Sequence, residues 1–157
     1  MENQKHKFMQ HAIQLSIDSV ENKGGPFGAV IVKDNKIIAA TSNSVTQTND
    51  PTAHAEINAI RKACSELKTF DLSDCEIYTS CEPCPMCLGA IYWARISKIY
   101  YGNTKNDAAK IGFNDSFIYE EIALSITERQ VKTEQLLRKD ALKAFQLWSK
   151  KEDKKDY

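Results

Sequence analysis

Two short stretches restrict this chain of 157 residues more than anything else in it: Pro51-Thr52-Ala53-His54-Ala55-Glu56 and, further on, Cys81-Glu82-Pro83-Cys84-Pro85-Met86-Cys87. One imidazole, two closely spaced thiolates and one carboxylate match a zinc site with three protein ligands and a free acid–base group beside it. If a single ion is to be held by His54, Cys84 and Cys87, the fold must bring both stretches to one point. Residues 54 and 56 lie about 200° apart on a regular helix, so they converge only if the metal sits beyond a helix N-terminus. Asp50-Pro51-Thr52 predicts such a start, with a capping residue and an early proline. Pro83 and Pro85 flank Cys84 where an apolar helical run opens, and the free N–H groups of a helix start favour thiolate.

The chemistry of that inventory is hydrolytic. Zinc with three protein ligands keeps a fourth position for water and lowers its pKa from about 16 to roughly 7. Glu56 is then placed to take the water's proton and pass it to a leaving amine. Either half of the pattern alone says little, since C-x-x-C also marks redox pairs and half-sites of structural zinc. The main rival is a closed four-ligand site in which Cys81 joins Cys84, Cys87 and His54. A strand ending near Cys81 and a helix beginning near Cys84 turn the first thiol away from the other two.

The length suits one domain over residues 1–157, since a chain of this size buries about 70% of its unfolded surface. The first residues enter an amphipathic pattern without a signal-peptide core, and five cysteines with two assigned to metal fit a reducing compartment, so the expectation is a cytoplasmic protein without membrane association. Cys64 and Cys75 read as small buried hydrophobes. Lysine plus arginine equal aspartate plus glutamate at 21 each, which argues against a nucleic-acid partner.

Apolar spacing through Phe8, Ala12, Leu15 and Val20 predicts a first helix, stopped by Gly24-Gly25-Pro26. Phe27 to Val32 reads as a buried strand, Asp34-Asn35 as a tight hairpin turn and Lys36 to Thr41 as its partner. A helix from Ala53 to Leu67, a strand from Glu76 to Ser80, a helix from Pro85 to Ala94 and a strand from Ser97 to Gly102 follow. Residues 103–114 show no period and read as a loop. A strand near Gln130 to Gln135 and an amphipathic helix through Leu137 and Trp148 complete the pattern, that of a three-layer α/β/α sandwich with a mixed central sheet of about five strands. Ligands bind such sheets beyond the strand ends, where helix N-termini point. Three residues have two readings each at this level: Asn43 as turn former or substrate-facing amide, Asp115 as helix cap or active-site carboxylate, and Tyr157 as frayed end or cover over a pocket.

Four stretches carry a resemblance: residues 25–34 around Pro26-Phe27-Gly28, residues 49–56 through His54-Ala55-Glu56, residues 78–95 from the cysteines to Tyr92-Trp93-Ala94-Arg95, and residues 112–119 around Asp115-Ser116-Phe117. Together they resemble the bacterial guanine deaminases of the cytidine-deaminase-like zinc hydrolases. The resemblance implies hydrolysis of guanine to xanthine and ammonia with one zinc per subunit. His54, Cys84 and Cys87 would hold the metal, Glu56 would shuttle protons and Asp115 would assist transfer to the amine. Asn43 would hydrogen-bond the purine, Phe27 would pack on its face, and Trp93 and Tyr157 would complete the substrate site. It also implies a homodimer that exchanges the segment from about 120 to 157, which leaves two places for Asp115 and Tyr157 to act, their own pocket or the partner's. Apart from the resemblance, Phe27, Asn43 and Asp115 suit a small neutral heterocycle without a basic groove. A tRNA adenosine deaminase shares both metal motifs but should carry a basic stripe. Guanosine or another aminated purine, and a zinc-stabilised interaction module without activity, are the other readings.

Overall fold

The computed structural model describes residues 2–157. These form two compact units, one reaching to Asp115 and one from Ser116 to Tyr157. No helix among the described residues is long and apolar enough to cross a membrane.

The first unit contains α1 (Glu2–Glu21), β1 (Gly28–Lys33), β2 (Lys36–Ser42), the single turn α2 (Val45–Thr48), α3 (Ala55–Leu67), β3 (Cys75–Cys81), α4 (Pro85–Trp93), β4 (Lys98–Asn103) and α5 (Lys105–Lys110). The strands make one mixed sheet in the order β2-β1-β3-β4, antiparallel except for the parallel β3–β4 pair. A parallel pair needs a long crossover, and α4 supplies it. Asp34 and Asn35 join β1 to β2 with φ of 49° and 59°, the left-handed pair that matches the twist of a two-residue hairpin.

The period-two rule accounts for the layering. Ala29 and Ile31 of β1, with Ile77 of β3, face Ala55, Ala59 and Ala63 of α3 and Ile91 of α4. Val30, Val32 and Tyr78 face the other way, onto Phe8 and Ala12 of α1. Both faces of β1 are covered, so its sequence is an unbroken apolar run. Gly28 marks the closest approach of helix to sheet: a Cβ there would run into the Ala12 carbonyl oxygen and lie 2.8 Å from Leu15 Cβ.

Two expectations need correction. The sheet has four strands among the described residues, and residues 130–135 are not a fifth. The chain around them is committed to the end of a helix, because Arg129 Nε donates to the carbonyls of Glu121 (3.1 Å) and Leu124 (3.2 Å), and the Gln130 N–H donates to Glu121 Oε2 (2.8 Å). The two Arg129 bonds serve carbonyls at the C-terminal end of that helix, and the Gln130 bond ties the following chain to its Glu121 side chain. Residues 103–114, read as a loop, contain α5. Its signal was the reciprocal capping box of Thr104 and Asp107, which the absence of a hydrophobic period concealed.

The second unit holds α6 (Ser116–Ala123) and α7 (Arg138–Lys150). None of its residues is buried, and Leu136, Leu137, Phe145 and Leu147 are all more than two-thirds exposed.

Candidate active site

The site forms where two helices begin. His54 is the N-cap of α3 (φ −68°, ψ 156°) and Cys84 the N-cap of α4 (φ −66°, ψ 168°), with Cys87 three residues on, in the first turn. An N-cap side chain ordinarily accepts a hydrogen bond from the exposed N–H groups of the first turn. Neither His54 nor Cys84 does so, and both side chains are directed at each other instead. The sequence placed the start of α3 near Asp50, but the helix begins at Ala55. Asp50 closes a tighter local turn, with its Oδ1 accepting the Thr52 N–H at 2.8 Å and hydroxyl at 2.7 Å. Three extended or turning residues then carry the chain to His54, so Glu56 falls in the first turn.

His54 Nδ1 lies 3.6 Å from Cys84 Sγ and 3.5 Å from Cys87 Sγ, and the three donors all lie within 4.8 Å of one another. A tetrahedral zinc ion, with Zn–S about 2.3 Å and Zn–N about 2.05 Å, separates a nitrogen from a sulfur ligand by about 3.6 Å. The donor set therefore fits zinc in type and in spacing. Cys81 stands outside it, as its position at the end of β3 predicts: its thiol donates to the Thr104 carbonyl at 3.7 Å.

Electrostatics at the cluster follow from crowding of sulfur and carboxylate in a buried place. The hydrogen bond from the Cys87 thiol holds Cys84 down at about 4, with His54 assisting and burial opposing. Donating that bond, together with burial, pushes Cys87 far up. Cys84 in turn raises His54 by hydrogen bonding. Glu56, only 8% exposed, has its pKa raised chiefly by burial and further by the charge on Cys84, which disposes the carboxyl to hold a proton.

The entrance to β1 provides the surroundings. Asn43 is buried, its N–H donates to the Phe27 carbonyl (3.0 Å) and its Oδ1 accepts the Val45 N–H (3.2 Å). Its amide nitrogen has no protein partner among the described residues and can donate to a ligand. A Cβ at Gly25 would lie 3.3 Å from the Asn43 side chain, so a glycine there lets the loop press against that amide. Phe27 meets Phe113 edge to face, with centroids 5.0 Å apart at 87°. Asp115 is half-buried, and its carboxyl is raised by burial first and then by the charges of Cys84 and Glu82.

Two residues carry positioning that the sequence did not disclose. Asn58 Nδ2 donates to Ser42 O (3.0 Å), Ser44 Oγ (3.1 Å) and Ala53 O (3.3 Å), fixing the His54 loop to the exit of β2. Phe113 braces Phe27. An amide inside a helix and an aromatic in a presumed loop match no motif, so neither had a signal to find. Trp93 ends α4, about 14 Å along the helix from Cys84 by its rise, and is 70% exposed. Tyr157 ends the second unit and is exposed.

This geometry agrees with the likenesses of this chain to known proteins. Residues 2–103 match the cytidine and deoxycytidylate deaminase zinc-binding region. Guanine deaminase of Bacillus subtilis (strain 168) is 53% identical over 151 residues, which cover 96% of this chain and 97% of that protein. The X-ray structure of guanine deaminase from Bacillus subtilis superposes with a TM-score of 0.94 at 52% identity, covering 97% of this chain and 98% of that one. The tRNA-specific adenosine deaminase of Aquifex aeolicus is 42% identical over 97 residues, 62% of this chain and 64% of that protein. With its zinc donors, the carboxylate beside them and these matches over most of its length, the chain belongs to the cytidine and deoxycytidylate deaminase zinc-binding family.

Proposed function

We propose that this protein hydrolyses guanine to xanthine and ammonia. The observation that carries the reading is the His54–Cys84–Cys87 cluster with Glu56 buried beside it, in a chain similar to a guanine deaminase from end to end. The tRNA deaminase likeness covers only 62% of the chain, and the net charge of zero offers no attraction for a polyanion.

His54, Cys84 and Cys87 would hold zinc, which when bound would supply Lewis acidity toward an attacking water. Glu56 takes a proton from the attacking water and delivers it to the amino nitrogen as the C–O bond forms and the C–N bond breaks. Atoms balance as guanine plus water giving xanthine plus ammonia. Asn43 donates its free amide N–H to the purine, Phe27 covers a ring face, and Asp115 assists the departing amine. Tyr157 completes the substrate site, whereas Trp93, which the resemblance also placed there, ends α4 about 14 Å along the helix from Cys84.

We further infer that the protein is a homodimer exchanging the segment from about 120 to 157, with Tyr157 acting in the partner's pocket and Asp115, which precedes that segment, in its own. A unit with no buried residue lacks the core that would stabilise it alone. The face of α4 bearing Gly89, Tyr92 and Trp93 is exposed and apolar, as an interface requires.

An ammonia-release panel over guanine, guanosine, adenine, cytosine, cytidine and a tRNA anticodon stem tests the substrate. Guanine should be the preferred substrate. Preference for guanosine or for the RNA overturns the assignment, and zinc binding without ammonia from any compound reduces the protein to an interaction module.

A further inference from the structure

Glu82 lies between Cys81 and Pro83, two residues before the zinc ligand Cys84, and the reaction scheme gives it no part. Its N–H donates to the Asn103 carbonyl at 2.8 Å, and its Oε2 accepts the N–H of Lys105 at 3.1 Å. Lys105 is the first residue of α5, where an N–H has no partner within the helix. The capping box closes the same turn from inside: Thr104 Oγ1 accepts the Asp107 N–H at 3.2 Å and Asp107 Oδ2 accepts the Thr104 N–H at 3.1 Å. The start of α5 is thus tied to the metal-ligand loop by a carboxylate, a backbone bond and the Cys81 thiol.

The other end of α5 is tied as well. Gly112 turns the chain with φ of 96°, the Phe113 N–H donates to the Ala108 carbonyl at 3.0 Å, and the Phe113 ring abuts Phe27. Asp115 follows two residues later. The segment that carries it therefore spans two anchors, Glu82 beside Cys84 and Phe27 at the head of β1.

We propose that Glu82 is a positioning residue: by holding the first N–H of α5, its carboxylate sets where Asp115 stands relative to the zinc ligands, without touching substrate. This rests on the reading of Asp115 as the group that assists the departing amine.

The test compares zinc-loaded wild type, Glu82→Ala, Glu82→Gln, Asp115→Asn and the Glu82→Ala/Asp115→Asn double variant, with kcat and KM for guanine and zinc content measured for each. Loss of placement in a catalytic group costs rate, so Glu82→Ala should lower kcat about tenfold, with KM within about twofold and one zinc per chain. Glu82→Gln keeps an oxygen that accepts the Lys105 N–H and should restore most of kcat. The double variant should be no slower than Asp115→Asn alone, since Glu82 acts only through Asp115. A loss that repeats in full on the Asp115→Asn background, a Gln variant as slow as the Ala variant, or a loss carried by KM overturns the proposal.

Should Glu82→Ala fail to fold, Lys105→Pro probes the same bond from the donor side. It deletes the N–H at a first-turn position where proline fits, after a Thr104 already extended at φ −86° and ψ 164°. It should reproduce the kcat loss while Lys105→Ala, which keeps the N–H, does not; equal rates for the two overturn the proposal. If Asp115→Asn is as fast as wild type, the reading of Asp115 fails. If Asp115→Asn is slow and Glu82→Ala is not, only the role of Glu82 fails.

Discussion

Glu56 illustrates how placement changes the proton affinity of a common side chain. Held in the first turn of α3 and nearly fully buried beside two sulfurs, its carboxyl binds a proton more readily than a solvated one does. Replacing it with alanine should leave zinc content and fold intact and cut turnover at least about 100-fold, as loss of a general acid–base group does. Near-normal kcat in that variant would remove Glu56 from the chemistry. Cys81→Ser should retain one zinc per chain by metal analysis, because its thiol bonds Thr104 and stands apart from the cluster. His54, Cys84 and Cys87 were readable in the sequence because metal chemistry permits few residue types at few spacings. Phe113 and Asn58 were not, because packing and amide bonding place no comparable restriction on residue type.

Among the elements, α1 and β1 show the tightest fit. Gly28→Ala drives a methyl group into the Ala12 carbonyl and Leu15, against backbone that cannot move aside cheaply. Overpacking of this kind costs about 1–3 kcal/mol, so the urea midpoint should fall clearly below wild type. An unchanged midpoint would mean that the helix yields without strain. The long elements were legible because both faces of their pattern are used: α1 and α3 each bury one stripe, and β1 alternates between two cores. Two short segments were misread in opposite directions. Residues 130–135, read as a strand, are not one, because Arg129 and Gln130 are engaged in finishing α6. Residues 105–110 had no apolar stripe to suggest a helix, and formed one on the strength of its cap.

Over the whole molecule, the second unit poses the question of partners. Deleting Tyr157 should raise the KM for guanine or lower kcat with zinc content unchanged, and wild-type kinetics in the shortened protein would show the tail to be frayed. Sedimentation equilibrium of the full chain should give twice the chain mass; a monomer at micromolar concentration would refute the exchanged dimer. The metal ligands have a consequence for the integrity of the chain. His54 and Cys84 stand at N-caps and neither side chain closes its helix by hydrogen bonding. A zinc ion held by His54, Cys84 and Cys87 would instead tie the two helix starts to each other. Stripping zinc with a chelator should therefore open both helix starts to cleavage, and a broad-specificity serine protease should cut first near residues 52–56 and 82–88. A digestion pattern indifferent to the chelator would mean that the helix ends hold without the ion.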